Sequence, residues 1–234
     1  MRLIVPLFLL LAMIVPINAN DGVILLHGLC RTTRSMKAME QALGHAGFTV
    51  VNVSYPSRSA SIETLAELAI GNVIDSPPLL SCGRIHFVTH SLGSILVRSY
   101  FKNHEGNRAG RVVMLGPPNQ GSEVVDRLGS WALFRKINGP AGLELGTGLH
   151  SAPSKLGPVN FELGVIAGNR SINWINSLMI VGANDGKVSV ERTKVAGMKS
   201  HITIPCAHPF LMTNRTAIAE AIHFLQTASF STGN

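Results

Sequence analysis

Short, almost wholly apolar runs that alternate with stretches of helical periodicity restrict this chain to few architectures. Residues 23–26 form the first such run and end in His27-Gly28. Met36, Met39, Leu43 and Ala46 then recur at helical spacing, and Gly47 closes that segment. Residues 48–53 read as strand. Ile62, Leu65, Ala66, Ala69, Ile70 and Val73 mark one face of a second helix, stopped by Pro77-Pro78. Residues 85–89 are strand, 92–103 helix and 112–115 strand. Strands that lack polar alternation need cover on both faces, which predicts a parallel sheet between two helical layers. Ligands of such sheets bind beyond the carboxyl ends of the strands.

Between residues 116 and 176 the pattern loosens into Gly, Pro and Asn, with one amphipathic piece: Val124, Val125, Leu128, Trp131, Ala132 and Arg135. Segment 122–137 is expected either as a mobile lid or as a fixed helix on the sheet. Two apolar runs follow, 161–167 and 177–182, and the first is the better candidate for the next strand. Residues 202–205 read as a last strand, and Ile218, Ala221, Ile222 and Leu225 as one face of a closing helix. No repeat or second domain is visible, so residues 20–234 are expected to form one domain of about six strands.

Composition narrows the class. With 46% hydrophobic and 14% charged residues, the chain is neither disordered nor a coiled coil. Arg2, the apolar run 3–15 and Ile17-Asn18-Ala19 predict a signal peptide over residues 1–19 and export to the periplasm or medium; an uncleaved anchor is the alternative. The net charge of +7 comes from scattered basic residues without interleaved aromatics. That excludes a nucleic-acid partner and leaves transient contact with an anionic membrane surface open. The three cysteines, Cys30, Cys82 and Cys206, have neither disulfide-scaffold nor zinc spacing. One bridge between Cys30 and Cys206 is conceivable, as are three buried small hydrophobes. No metal cluster is visible, and no cofactor is expected.

The chemistry concentrates where the strand 85–89 runs into helix 92–103 with His90-Ser91 at the junction. A sharp strand-to-helix turn lifts such a serine above the sheet in a strained conformation. Gly93 supplies the small neighbour that strand and helix need to pass closely; Thr89 stands where the G-x-S-x-G motif has glycine. A serine nucleophile requires a base, the base an orienting acid, and the oxyanion two N–H donors. After Ser91, Asp185 in Asn184-Asp185-Gly186 is the strongest acid candidate and His208, just past the last strand, the strongest base. His86, His90, His201, His223, Asp75 and Asp126 suit core, surface or cap roles better. The expected oxyanion donors are the backbone N–H groups of Leu29 and Leu92, with Gly28 allowing close approach and His27 bracing the loop.

Leu26-His27-Gly28-Leu29, Thr89-His90-Ser91-Leu92-Gly93, Asn184-Asp185-Gly186-Lys187-Val188 and the segment 116–122 resemble the lipase and esterase branch of the α/β-hydrolases. Within that branch they are similar to bacterial triacylglycerol lipases and to lipases resembling the GPI-inositol deacylase. The resemblance runs from about residue 23 to 224. It implies an α/β-hydrolase fold shortened at the N-terminus, a triad of Ser91, Asp185 and His208, and hydrolysis of a carboxylic ester or lipid. An acyltransferase with the same triad, or a non-catalytic lipid-binding protein of this fold, would share these features.

Overall fold

The computed structural model describes residues 21–104 and 108–231; the expected signal segment lies outside them. Six strands form one sheet: β1 (Gly22–Leu26), β2 (Thr49–Val53), β3 (Ile85–His90), β4 (Ala109–Leu115), β5 (Leu163–Gly168) and β6 (Ser200–Ile204). Their order is β2-β1-β3-β4-β5-β6, and every pairing is parallel. This is the six-stranded α/β-hydrolase sheet that the sequence predicts. Run 161–167 supplies β5, whereas 177–182 follows the short helix Trp174–Ser177 as irregular chain.

Alternation within each strand explains the two layers. Ile24, Leu26, Phe87, Val112 and Met114 point to one face, where they meet Leu65 and Ile70 and the inner side of helix Leu92–Asn103. Val23, Leu25, Val88, Val113 and Leu115 point to the other, against Met39 and Leu43 of helix Lys37–His45 and Ala221 and Phe224 of helix Arg215–Thr227. Each fully buried Leu, Ile or Phe contributes about 1.5–3 kcal/mol relative to exposure. Both faces are therefore apolar, and a parallel sheet follows.

Three details differ from the sequence reading. The second helix is α-helical only over Ile62–Ala66 and continues as a π-helical turn, Glu67–Gly71. Segment 122–137 is not one helix: Glu123–Leu128 is separate from Ala132–Leu143, which is itself broken at Gly139 (φ 64°) before Pro140. A Cβ at Gly139 would lie 2.0 Å from the Arg58 carbonyl oxygen, so this break is where the second piece docks on the loop after β2. His201 lies inside β6 rather than before it, with its Nε2 2.9 Å from the Thr193 hydroxyl.

Burial keeps several imidazoles neutral. Desolvation pushes His27, His86, His90 and His201 below the ordinary histidine range. In the unfolded chain each would take up a proton near pH 6.5. The unfolded state then binds more protons than the folded one, so stability falls as pH drops through that window. Each group adds a slope of up to about 1.4 kcal/mol per pH unit. Calorimetry should show the melting temperature falling steadily from pH 7.5 to pH 5; a flat or rising profile would contradict the neutral burial of these rings.

Candidate active site

The sheet reverses its winding direction at β1 and β3, which are neighbours although β2 lies between them in sequence. A crevice opens at the carboxyl ends there. Ser91 sits at that point, directly after β3, with φ 52° and ψ −117°. A non-glycine residue held at positive φ costs of order 1–3 kcal/mol and persists only where its surroundings impose it. Here the imposition is steric. A Cβ at Gly93 would stand 2.7 Å from the Leu26 carbonyl oxygen and 2.8 Å from its Cβ, so only glycine lets the helix start so close to β1. Thr89, fully buried, is accommodated because its hydroxyl lies 2.8 Å from that of Ser94. Its extra atoms fill space and its polar group is satisfied, so glycine is not required there.

His208 follows β6 and is buried. Its Nδ1 lies 2.6 Å from Oδ2 of Asp185, and its backbone N–H donates to the Asp185 carbonyl at 3.0 Å. A carboxylate only accepts, so Nδ1 carries a proton, and in the neutral ring Nε2 is the free acceptor. The other carboxylate oxygen, Oδ1, accepts from the backbone N–H groups of Lys187 (2.9 Å) and Val188 (2.8 Å). Asp185 is thus fully engaged and 1% exposed. Gly116 makes room for the pair, since a Cβ there would be 3.0 Å from both Asp185 Oδ2 and His208 Nδ1.

Ser91, Asp185 and His208 all line one cavity of about 450 Å³. Among the described residues the Ser91 hydroxyl has no hydrogen-bond partner; such contacts are often long before substrate binds. Leu29 also lines the cavity, while the Leu92 side chain points into the core and only its backbone N–H, at the first position of its helix, is offered beside Ser91. The positive end of that helix faces the same point. Val124, Val125, Phe134 and Ile137, from the two pieces of segment 122–137, form an apolar wall with Leu145. His27 braces the loop before Leu29: its ring stacks on Tyr55 at 4.2 Å, and the Tyr55 hydroxyl donates to its carbonyl.

His90 is the residue that the sequence undervalues. It is buried, with Nε2 3.1 Å from the His208 carbonyl oxygen and its ring centroid 4.7 Å from that of His208. Burial and the adjacent His208 push it well below the ordinary range, so it is a neutral N–H donor. It ties the loop carrying His208 to the residue next to Ser91. Its position beside Ser91 was the only sequence signal for this. His90→Leu should lower kcat by about 10²-fold through misplacement, whereas His90→Gln, which keeps a donor, should retain most of it. Equal losses in both variants would assign His90 to packing alone.

The cysteines differ from both expectations. All three are free; Cys82 and Cys206 are buried, but Cys30 is exposed at the cavity mouth with φ 57°. Among the described residues no three His, Cys, Asp or Glu side chains converge to hold a metal ion, and no helix is long and apolar enough to cross a membrane.

A sequence profile described as the alpha/beta hydrolase family matches residues 23–221. The chain belongs to that family. No curated protein matches this hydrolase in sequence. Among solved structures it is similar to the mature Bacillus licheniformis lipase BlEst2, with a TM-score of 0.74 and 18% identity, covering 90% of this chain and 94% of that one. Phospholipase PlaB from Legionella pneumophila gives 0.71 and 18%, covering 90% of this chain and 60% of its own. A metagenomic carboxyl esterase gives 0.65 and 20%, covering 82% and 65%. At these identities the likeness establishes the fold. With the family match it places this α/β hydrolase beside bacterial lipases and esterases, and supports hydrolase activity.

Proposed function

We propose that the chain is an exported serine esterase or lipase that cleaves carboxylic esters through Ser91, His208 and Asp185. The observation that carries this is the strained Ser91 sharing one cavity with a histidine whose Nδ1–H is bound to a buried carboxylate. In the first half-reaction the bare Nε2 of His208 takes the Ser91 proton as Oγ attacks the ester carbonyl. The oxyanion is held by the N–H groups of Leu29 and Leu92. Collapse breaks the bond to the alkoxide, which leaves with the proton from His208. Water then repeats the sequence on the acyl-enzyme, releasing the acid and restoring Ser91.

The apolar cavity wall suits an acyl chain. Ile137 and Ile172 line the cavity yet stay 46% and 69% exposed, and Trp174 follows at 71%, which supports transient contact of the mouth with a lipid surface. On this reading the two helical pieces of segment 122–137 act as a lid. A fluorophosphonate probe should label the protein with 1:1 stoichiometry, and peptide mapping should find the adduct on Ser91. Labelling elsewhere, or none, removes Ser91 as the nucleophile.

A further inference from the structure

A second, more open groove of about 810 Å³ adjoins the catalytic cavity and shares Cys30 and Arg31 with it as lining residues. Its walls are the loop Cys30-Arg31-Thr32, the loop from Tyr55 to Ser59 after β2, and Lys136 from the cavity-covering helix. Among the described residues the groove is lined by three cations, Arg31, Arg58 and Lys136, and by no carboxylate; Lys187 adds a fourth cation on the cavity side. Among the described residues the only acid lining the cavity is Asp185, and both its oxygens are already bound.

None of these four cations has a carboxylate within ion-pair distance among the described residues. Six bases elsewhere are ion-paired, Lys37 with Glu40, Arg108 with Asp75, Arg111 and Lys199 with Glu162, Arg192 with Glu123, and Lys194 with Glu191, so what sets the groove apart is its gathering of unpaired cations rather than the lack of a partner alone. At the mouth, Arg58 makes only a 3.4 Å contact to the Ile137 carbonyl, and the side chains of Arg31, Arg58, Lys136 and Lys187 are exposed. Uncompensated like charges facing one groove repel each other, and an anion in the groove relieves that repulsion. Guanidinium groups additionally offer forked N–H donors that match phosphate oxygens.

We infer that the substrate is an ester whose alcohol portion carries a phosphate, with the acyl chain in the apolar cavity and the phosphate in the groove between Arg31, Arg58 and Lys136. The inference rests on the serine-hydrolase reading and specifies its substrate class. The apolar wall of Val124, Val125, Phe134 and Leu145 lies on the cavity side, so the cationic groove is left for the leaving group. An acyl glycerol phosphate has this distribution of charge and apolar surface.

The test uses the mature protein below the micellar limit of its substrates. Hydrolysis of a 1-acyl-glycerol-3-phosphate is compared with that of the monoacylglycerol bearing the same acyl chain, and p-nitrophenyl butyrate serves as the neutral reference. The variant is Arg58→Ser with Lys136→Ser, two exposed side chains outside the reacting groups. The wild type should prefer the phosphate-bearing ester by about 10-fold or more in kcat/KM, and added salt should shrink that preference. The double variant should lose it while turning over p-nitrophenyl butyrate normally. Equal rates on the two glycerides, or equal losses on all three substrates in the variant, overturn the assignment. Inorganic phosphate is run as a competitor: inhibition as tight as that by the acyl phosphate would make the groove a free-anion site and overturn the substrate claim. Binding of the acyl phosphate to Ser91→Ala protein, by calorimetry, separates the two readings. If Ser91→Ala binds the lipid and adding the groove substitutions abolishes binding, the groove assignment stands even where turnover fails. Absent binding overturns it even where p-nitrophenyl butyrate is cleaved.

Discussion

Ser91→Ala is expected to lower p-nitrophenyl ester hydrolysis by about 10⁴-fold or more while leaving the melting temperature unchanged. The rate loss follows because the other serine lining the cavity, Ser122, donates its hydroxyl to the Lys187 carbonyl at 2.7 Å. Only a residue at this strand–helix junction stands above the carboxyl end of β3, and Ser91 is held there at φ 52° by the close passage of Gly93 against Leu26. The unchanged stability follows because the Ser91 hydroxyl has no hydrogen-bond partner among the described residues, so alanine leaves no buried group unpaired. Alanine also inherits the same backbone strain. The measurement is kcat/KM across acyl lengths together with a thermal melt. A variant that retains a tenth of wild-type activity would show that Ser91 does not carry the covalent step.

The second large effect belongs to Asp185→Asn. The replacement amide has one oxygen and one NH₂ group. Its oxygen is claimed by the backbone N–H groups of Lys187 and Val188, which lie 2.9 and 2.8 Å from the native Oδ1. The NH₂ group must then face His208 Nδ1, where the native carboxylate accepts at 2.6 Å. Two donors cannot share that contact, so the ring moves its proton to Nε2. An Nε2 that already holds a proton cannot take one from Ser91. The expected cost is about 10⁴ in kcat with little change in fold. A loss below tenfold, measured on the same p-nitrophenyl esters, would mean that the pair is structural and that His208 is not the base.

The parts of the fold legible in the sequence are those set by local pattern. Apolar runs such as 85–89 and 112–115 have to be covered on both faces wherever they go, so the parallel sheet and its helical layers follow from composition within each segment. The strand–serine–helix junction is likewise local, and the chain order of Ser91, Asp185 and His208, which follow β3, β5 and β6, is read directly from the sequence. The loose region 116–176 was less readable. Its one amphipathic piece becomes two helices separated at residues 129–131, and the second is broken at Gly139 where it docks on Arg58, a residue some eighty positions away. Periodicity cannot register such a contact.

Contacts of that range decide the rest of the site. Thr89 reads as a departure from the usual motif, and only its 2.8 Å approach to the Ser94 hydroxyl within the packed core shows why threonine is tolerated. His90 reads as an incidental neighbour of Ser91 until β6 brings the His208 carbonyl to 3.1 Å from it. The basic residues look scattered along the chain, yet the loops after β1 and β2 and the cavity-covering helix gather Arg31, Arg58 and Lys136 on one groove. The sequence by itself determined the sheet, its layers and the turn that exposes Ser91, because hydrophobic period and steric allowance act over a few residues. Which side chains meet at the mouth, with what proton positions and what net charge, was decided by the tertiary structure alone, because hydrogen bonding and Coulomb forces act between groups that only folding brings within a few ångströms.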